Sequence, residues 1–407
     1  MRSPAPTADR PPRRIAILAD DLTSAGDGAA PFRAAGFPAR IRLSDEAGKP
    51  AEEPAEATSD ATAAATGPGV TAVDLDSRVR PAAHAAERTA AAAAALAGAD
   101  VLLKTVDSTL RGHLAAETAA ALSASGRRTA VIAPAFPAEE RTTVGGVQLL
   151  AGRPVHDTAF ARDPLHPVRC ADLTKLFPGA VRAGLASLPA AERLVLADAA
   201  SDGDLDALVA AVPDPGQVLW VGSPGLAAAL ARRLGPGPGG LLPAGDAPSP
   251  APRVLVVVGS LHPAGREQAA RFAAVGGTAA LVPVTDPAAV VRAEQALAGR
   301  GRALLQGPEV RTADSVPEAL ARVVGRLAAR QAFDALVLTG GETARTVLLA
   351  LGARTVDLSG EPEPGIALGL LDRPRRIPVA LKAGGFGDRD TLCRLTDLLR
   401  STPCAAP

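Results

Sequence analysis

The densest group of chemically reactive side chains lies in the segment KTVDSTLRG, residues 104–112, directly after a short apolar run. It contains Lys104, Asp107, Ser108, Thr109 and Arg111 within eight residues. A capping box, in which Ser or Thr precedes Glu by three residues, is not present in register and does not explain the group. Two cations, a carboxylate and hydroxyl groups suit a small polyhydroxylated anion. The segment therefore predicts a binding site for such a ligand.

Two adjacent carboxylates, Asp20 and Asp21, follow the first predicted strand, residues 14–19. Carboxylates at the end of a strand can bind sugar hydroxyl groups or accept a proton from one of them. Asp is also a preferred helix N-cap residue, and the sequence does not decide between a ligand-binding and a capping role. Arg78, in the segment VDLDSR, could hold a substrate carboxylate through paired hydrogen bonds, or could form an ordinary surface ion pair.

The C-terminal part of the chain repeats one pattern, in which a glycine turn lies between an apolar strand and a helix. A helix N-terminus after such a turn presents free N–H groups and the positive end of the helix dipole, which favours anions. Only four of the 43 basic residues are lysines, and one of them begins the last of these turns. The pattern predicts a nucleotide site. The residues concerned are Ser260, Gly340, Gly341, Glu342, Thr343, Lys382, Gly384 and Gly385.

Short β-branched runs alternate with longer Ala- and Leu-rich segments along the whole chain. Continuous apolar strands separated by helices are typical of parallel sheets that are buried on both faces. We predict an α/β protein with two domains, each with a mainly parallel sheet flanked by helices. Ligands of such sheets bind at the carboxyl ends of the strands. The predicted parts are a disordered tail (1–13), a first domain (14–234), a Gly/Pro linker (235–252) and a second domain (253–407).

Composition excludes several classes of function. The formal net charge is zero and aromatic residues make up 2% of the chain, which argues against nucleic-acid binding. No apolar run is long enough to cross a bilayer, so we predict no membrane partner. The three cysteines are far apart, which fits a reducing compartment and predicts a cytoplasmic location. The histidines show no metal-binding spacing, and metal ligands stay unidentified.

Taken in order, the motifs resemble those of the four-carbon acid sugar kinase family. The matching stretches are ADDLTSAGD (19–27), DLDSR (74–78), KTVDSTLRG (104–112), PAFPAEERTTVGGVQLLAGRPV (134–155), GS (259–260), GGETA (340–344), PGIALG (364–369) and LKAGGFG (381–387). The chain departs from the family pattern at Ser24 and Ala383, where the family usually has Gly and Ser. Both changes exchange one small residue for another.

The resemblance implies that the first domain binds the acid sugar and the second binds ATP. Phosphoryl transfer would then occur in the interdomain cleft, usually to the terminal hydroxyl of a tetronate such as threonate or erythronate. We expect Mg²⁺ to accompany ATP. The 3-oxo-tetronate kinase branch has a different sequence where KTVDSTLRG stands, so the threonate/erythronate type is favoured. The partners implied are a small acid sugar and ATP, and a homodimer is one candidate for the oligomeric state.

The mechanism expected from these residues assigns Arg78, Lys104 and Arg111 to the substrate carboxylate and its hydroxyl groups. Asp21 or Asp107 would orient the attacking hydroxyl and accept its proton. Asp20 and Ser108 complete the predicted substrate site. The glycine turns would hold ATP, and Lys382 would offset developing charge on the phosphates.

Three alternatives remain at this point. One is a kinase for another aldonate, such as a 3-oxo-tetronate, and another is an acid-sugar-binding protein without catalytic activity. The third is a dinucleotide oxidoreductase, which would need GxGxxG after the first strand, where this chain has ADDLTSAG instead.

Overall fold

The computed structural model describes residues 13–43, 68–163, 166–183, 193–237, 251–260, 262–276, 281–308 and 316–400. The predicted tail lies outside the described residues except for its last position. Residues 238–250 of the predicted linker and the last seven residues of the chain also lie outside them. The domain boundaries taken from the sequence stay predictions.

The N-terminal half contributes parallel strands rich in Val, Ile, Leu and Ala. In the central strands nearly every side chain is buried, because helices cover both faces of the sheet. The strands are β1 (Arg14–Ala19), β2 (Ala39–Leu43), β3 (Gly69–Asp74), β4 (Val101–Thr105), β5 (Thr129–Ala133), β9 (Val181–Ala183), β10 (Leu194–Ala197) and β11 (Val218–Gly222). A separate three-stranded antiparallel sheet contains β6 (Arg141–Val144), β7 (Val147–Leu150) and β8 (Arg153–Pro154).

The C-terminal half repeats the parallel arrangement and adds an antiparallel hairpin. Its strands are β12 (Val254–Val258), β13 (Leu281–Pro283), β14 (Arg302–Gln306), β15 (Ala335–Thr339), β16 (Thr355–Glu363), β17 (Ile366–Leu371) and β18 (Pro378–Lys382). The hairpin of β16 and β17 pairs with β18 on one side and with β2 of the N-terminal half on the other. The two halves therefore form one continuous 15-stranded sheet, in the order β13-β14-β12-β15-β18-β17-β16-β2-β3-β1-β4-β11-β5-β10-β9.

The predicted α/β class with mainly parallel pairing is confirmed. The apolar runs from which strands are predicted are all strands in the structure, with ends that differ by at most two residues. They are residues 14–19, 70–74, 100–104, 129–133, 193–197, 217–221, 253–258, 279–284, 302–306, 334–339 and 377–382. The continuity of the sheet was not predicted, because it depends on β2 and β16. Neither strand is a continuous apolar run: arginines alternate with apolar residues in β2, and β16 carries Asp, Ser, Gly and two Glu.

Helices cover both faces of the sheet. They are α1 (Leu22–Ala34), α2 (Ala82–Ala95), α3 (Leu114–Ala124), α4 (Leu173–Leu176), α5 (Asp202–Ala210), α6 (Pro224–Leu234), α7 (Pro263–Gly276), α8 (Ala289–Arg300), α9 (Val316–Ala329), α10 (Gly341–Ala350) and α11 (Thr391–Arg400). Short 3₁₀ turns occur at Pro137–Glu139, Val155–Asp157 and Ala159–Arg162. Within the described ranges no helix has the length and apolar character needed to cross a membrane.

Helix α1 lies over the junction of the two halves. A Cβ atom placed on Gly26 would come within 2.8 Å of the Cβ atom of Ala367, which shows how closely the helix approaches β17. The same buried apolar cluster includes Ile17 from β1 and Leu381 from β18. The helix that begins just after Asp20 and Asp21 is therefore packed against strands of both halves.

Candidate active site

A cavity of about 580 Å³ lies where the strand ends of the two halves meet. From the N-terminal half it is lined by Asp20, Asp21, Leu22, Thr23, Asp74, Asp76, Arg78, Val79, Arg111, Ala159, Phe160, Arg162, Asp163 and His166. From the C-terminal half it is lined by Gly259, Ser260, His262, Pro263, Val316, Pro317, Gly340, Gly341, Glu342, Thr343, Arg345, Ala383, Gly384 and Gly385. The predicted anion-binding residues and the predicted glycine turns thus largely share one cavity.

Asp20, Asp21 and Arg78 form one charged cluster in the wall of this cavity. The guanidinium of Arg78 donates to both carboxylate oxygens of Asp20, at 2.6 and 2.9 Å, and its third nitrogen lies 2.5 Å from Oδ2 of Asp21. Burial acts to raise the pKa of Asp20, but the charge of Arg78 outweighs it and holds that pKa below its usual value. The Asp20 carboxylate therefore stays ionised.

Asp21 also serves as the N-cap of α1. Its Oδ1 atom accepts a hydrogen bond from the backbone N–H of Ser24 at 2.7 Å and from the hydroxyl of Thr23 at 3.0 Å. The two interpretations left open for this residue are not exclusive, since one oxygen caps the helix while the residue still lines the cavity. Because three groups hold the carboxylate, its position is fixed.

Arg111 lines the cavity and is held by two carboxylates. Its Nε atom lies 2.5 Å from Oδ2 of Asp107, and its Nη1 atom lies 3.4 Å from Oδ2 of Asp163. Its guanidinium also lies 5.1 Å from the ring centre of Phe160. Burial opposes ionisation of Asp107, but Arg111 holds its pKa far below the ordinary value. Asp107 does not line the cavity, so it orients Arg111 from the side of the guanidinium that faces the protein interior.

Besides Asp107, two other residues of the predicted substrate site do not line the cavity. Lys104 is fully buried, and its Nζ atom lies 2.9 Å from Oε2 of Glu117 on α3 and 2.6 Å from the carbonyl oxygen of Thr105. Ser108 is also buried, and its carbonyl oxygen accepts a hydrogen bond from Gln148. As placed, both residues stabilise the strand end that carries Asp107 and Arg111, and their predicted ligand contacts stay predictions.

The turn before α10 brings the two halves into direct contact. Gly340 has a φ of 93°, which a residue with a side chain rarely adopts. A Cβ atom placed on Gly341 would lie 2.5 Å from Oδ2 of Asp21. No side chain caps α10, so the N–H groups of its first turn, at Gly341, Glu342 and Thr343, are oriented toward the cavity end of the helix. This arrangement suits phosphate oxygens.

The other two turns carry Ser260 and the pair Gly384–Gly385, and they lie against each other. A Cβ atom on Gly384 would come within 2.1 Å of the Ser260 hydroxyl. His262 follows on the same loop, and burial lowers its pKa to about 4, so it is neutral at pH 7. Its Nδ1 atom accepts a hydrogen bond from the N–H of Ala264, which leaves the proton on Nε2.

Lys382 begins the last of the glycine turns. Its side chain is fully buried, and its Nζ atom donates to the carbonyl oxygens of Ala383 and Phe386, each at 2.8 Å. Burial lowers its pKa to about 8. The ammonium group therefore stabilises the KAGGFG turn and does not line the cavity. Its predicted contact with the phosphates stays a prediction.

Sequence reasoning missed at least four side chains in the cavity wall, namely Asp74, Arg345, Phe160 and His262. Asp74 and Arg345 form an ion pair of 2.6 Å between the two halves, and the ring of Phe160 lies 5.4 Å from that of His262, again between halves. Asp74 lies in the segment VDLDSR, which the sequence analysis considered only because of Arg78. Arg345 gave no signal, because arginine is common throughout this chain.

Comparison with known proteins agrees with this division of the cavity. Residues 15–230 match the family model of a sugar-binding N-terminal domain, and residues 300–392 match that of a nucleotide-binding C-terminal domain. A relative from Bordetella bronchiseptica, named D-threonate kinase, is 36% identical over 95% of this chain and 97% of its own length. The chain belongs to the four-carbon acid sugar kinase family.

Another member of the four-carbon acid sugar kinase family, a 3-oxo-tetronate kinase from Methylobacterium radiotolerans, is 28% identical over 68% of this chain and 74% of its own length. A solved protein of Haemophilus influenzae has the same fold, with a TM-score of 0.68, 21% identity, and coverage of 94% of this chain and all of that one. The predicted family and enzyme class are confirmed: the chain is a phosphotransferase that acts on an alcohol group, and it uses ATP.

Proposed function

We propose that this protein transfers the γ-phosphoryl group of ATP to the terminal hydroxyl of D-threonate or D-erythronate. The relative named D-threonate kinase aligns with nearly the whole chain, which supports this substrate class over the 3-oxo-tetronates. The match of the C-terminal half to a nucleotide-binding domain argues against a binding protein without catalytic activity. A dinucleotide oxidoreductase is disfavoured because no glycine fingerprint follows β1.

The contact between Asp21 and Gly341 carries the proposal. Asp21 belongs to the charged cluster of the substrate side, and Gly341 begins the helix whose N-terminus suits phosphate. A Cβ atom built on Gly341 would lie only 2.5 Å from the Asp21 carboxylate. A substrate hydroxyl beside Asp21 would therefore lie next to phosphates bound at the start of α10. Phosphoryl transfer needs this proximity more than it needs covalent chemistry from the protein.

The substrate carboxylate has Arg111 and Arg78 as its candidate partners in the cavity lining. Arginine offers a planar set of donors that suits a carboxylate, and each of these two is held in place by an aspartate. The ionised oxygens of Asp20 would accept hydrogen bonds from the sugar hydroxyl groups. A small acid with several hydroxyl groups therefore complements this wall of alternating charge.

Asp21 is a better candidate than Asp107 for orienting the attacking hydroxyl. Asp21 lines the cavity, whereas Asp107 does not and directs its carboxylate to Arg111 and Thr109. Because the transition state of phosphoryl transfer is loose, the hydroxyl needs orientation more than a strong base. A carboxylate held by Arg78 can supply that orientation and receive the proton late in the reaction.

ATP would bind along the turns at Ser260, Gly340–Gly341 and Gly384–Gly385, with its phosphates at the start of α10. Among the described residues, no three side chains of His, Cys, Asp or Glu converge as a dedicated metal site requires. Mg²⁺ often needs only one or two protein carboxylates in addition to the phosphates. Glu342 is the cavity carboxylate on the nucleotide side, and it would supply this contact. The ion would neutralise charge on the transferred group.

The test is ADP release by the purified protein with ATP, Mg²⁺ and a series of four- to six-carbon aldonates. We expect turnover with D-threonate or D-erythronate and phosphorus NMR signals of a terminal phosphate ester. Asp21→Asn keeps a good N-cap but removes the charge, so kcat should fall at least about 100-fold. Asp172 also caps a helix, at a distance from the cavity, and Asp172→Asn is the matched control.

Two outcomes would contradict the proposal. Binding of ATP and D-threonate without any turnover would favour the binding protein, and faster turnover of a 3-oxo-tetronate would favour the other branch. Near-normal activity of Asp21→Asn would remove this carboxylate from the mechanism. A cytoplasmic location and a homodimer stay predictions, which fractionation and light scattering would test.

A further inference from the structure

The two halves are joined inside the cavity by the ion pair of Asp74 and Arg345. Arg345 lies on α10 in the nucleotide half, and its Nη1 atom is 2.6 Å from Oδ2 of Asp74 at the end of β3 in the substrate half. Asp74 is fully buried and the Arg345 side chain is 10% exposed. Both residues line the cavity.

Arg345 contacts the segment that orients the substrate cluster. Oδ1 of Asp74 accepts a hydrogen bond from the N–H of Asp76 at 3.0 Å, and Nε of Arg345 lies 3.5 Å from Oδ2 of Asp76. Two residues later, Arg78 holds Asp20 and Asp21. Ion pairs at each end, joined by the short stretch of chain from Asp76 to Arg78, therefore lead from Arg345 to the carboxylate proposed to orient the attacking hydroxyl.

Arg345 is also connected, through helix α10, to the proposed phosphate site. Arg345 lies four residues after Gly341, one turn further along α10. Since a helix moves as a rigid element, a ligand that fixes the first turn of α10 also fixes the Cα position of Arg345. Neither the acid-sugar side nor the nucleotide side can shift without changing the ion pair.

Separation of the halves would leave the Asp74 carboxylate without its partner in a buried place. Breaking a buried pair by removal of one charge is strongly unfavourable, whereas replacing both charges is much less so. The pair therefore favours one relative position of the two halves. A ligand that orders either side lowers the cost of ordering the other side, which is positive coupling between two sites.

We propose that the Asp74–Arg345 ion pair couples the two subsites, so that the acid sugar and the nucleotide each raise the affinity for the other. The inference rests on the proposed function and assigns to these two residues a positioning role within it. Neither residue needs to touch a reacting atom.

The experiment is isothermal titration calorimetry with a non-hydrolysable ATP analogue and D-threonate. The Kd of each ligand is measured alone and with the other at saturation, and the ratio is the coupling factor. By linkage the factor must be equal in both directions. We expect it to lie between about 5 and 150 in the unmodified protein, the usual range for coupled sites.

The test variant is Asp74→Asn/Arg345→Gln, which removes both charges and keeps similar shapes. We expect its coupling factor to fall to within about twofold of one, while the Kd of each ligand alone changes little. The matched control is Arg40→Gln/Asp357→Asn. That pair, at 2.5 Å, also joins the halves, between β2 and β16, but it is partly exposed and does not line the cavity. It should leave the coupling factor unchanged.

A coupling factor near one in the unmodified protein, or an unchanged factor in the Asp74/Arg345 variant, would overturn the inference. Equal losses in the test and control variants would also overturn it, because they would indicate a general loosening of the halves. Failure of the unmodified protein to bind either ligand alone is a different result, since it would refute the proposed function itself. Arg345→Lys adds a further readout: partial recovery of coupling is expected relative to Arg345→Gln.

Discussion

Replacing Gly341 by Ala tests the central contact of the site. The new Cβ atom would lie 2.5 Å from Oδ2, 2.6 Å from Cγ and 3.0 Å from Cβ of Asp21. Favourable contacts between heavy atoms begin near about 3.5 Å, so the two groups must separate by about 1 Å. The Asp21 side chain cannot simply rotate away, because Ser24, Thr23 and Arg78 hold both of its oxygens.

A displacement of about 1 Å between reacting groups can cost about 100-fold in rate, which corresponds to about 2.7 kcal/mol of transition-state stabilisation. Overpacking would lower the free energy of unfolding by about 1–3 kcal/mol, and the better helix propensity of Ala would return up to about 1 kcal/mol of this. We therefore expect Gly341→Ala to lose about 100-fold in kcat/KM while it still folds.

The assay is ADP release with D-threonate, together with urea denaturation of the same preparation. Gly325→Ala is the matched control, because Gly325 is also helical and a Cβ atom there would have nothing within 4 Å. It should keep full activity and gain about 0.5–1 kcal/mol of stability. Activity of Gly341→Ala within a few-fold of the unmodified protein would refute the reasoning, since Asp21 and the helix would then not meet during transfer.

Two further predictions concern buried charges. Lys104→Met should lower the free energy of unfolding by about 3–5 kcal/mol in urea denaturation, because it removes one partner of a fully buried ion pair and leaves Glu117 on α3 without it. An unchanged stability with a raised KM would instead indicate ligand contact. Burial raises the pKa of Asp74 to about 6, although the positive charge of Arg345 acts to lower it. Asp76 has smaller effects in both directions, because its charge raises this pKa and its backbone N–H lowers it. The stability that Asp74 contributes is therefore full below pH 3.8 and is lost as the pH rises through about 6. The coupling factor measured by calorimetry should instead weaken as the pH falls through about 6, because protonated Asp74 no longer forms an ion pair with Arg345. Asp74→Asn should lack this pH dependence.

The sequence was sufficient to predict the parallel strands and the turns that follow them. Buried parallel strands are continuous apolar runs, and catalytic side chains collect where such runs end. Asp20, Asp21 and Gly341 were found in this way, since each stands just after an apolar run. Among the strands that were missed, β2 alternates Arg with apolar residues, and β6 and β16 consist largely of polar residues and Gly, so none of them is a continuous apolar run.

Lys104 and Lys382 show the limit of that rule. Both stand at the end of an apolar strand, as the rule requires, but a side chain at a strand end can also point under the sheet edge instead of over it. Lys104 is directed to Glu117, and Lys382 to the carbonyl oxygens of its own turn. The Asp74–Arg345 pair was beyond reach for another reason: 271 residues separate the partners, and a single sequence holds no record of such contacts.

The meeting of the two halves follows from the hairpin of β16 and β17. Three successive antiparallel pairings, β2 with β16, β16 with β17 and β17 with β18, reverse the strand direction between the halves. In a flat sheet the two sets of carboxyl ends would lie at opposite edges. Strand twist and the register shifts on either side of Gly360 in β16 are features that allow a sheet to bend at such a point. Because Asp21 and Gly341 touch across the cavity, the bend must be large enough to turn the carboxyl ends toward each other. The antiparallel hairpin is therefore the part of the fold that allows two parallel half-sheets to share one active site.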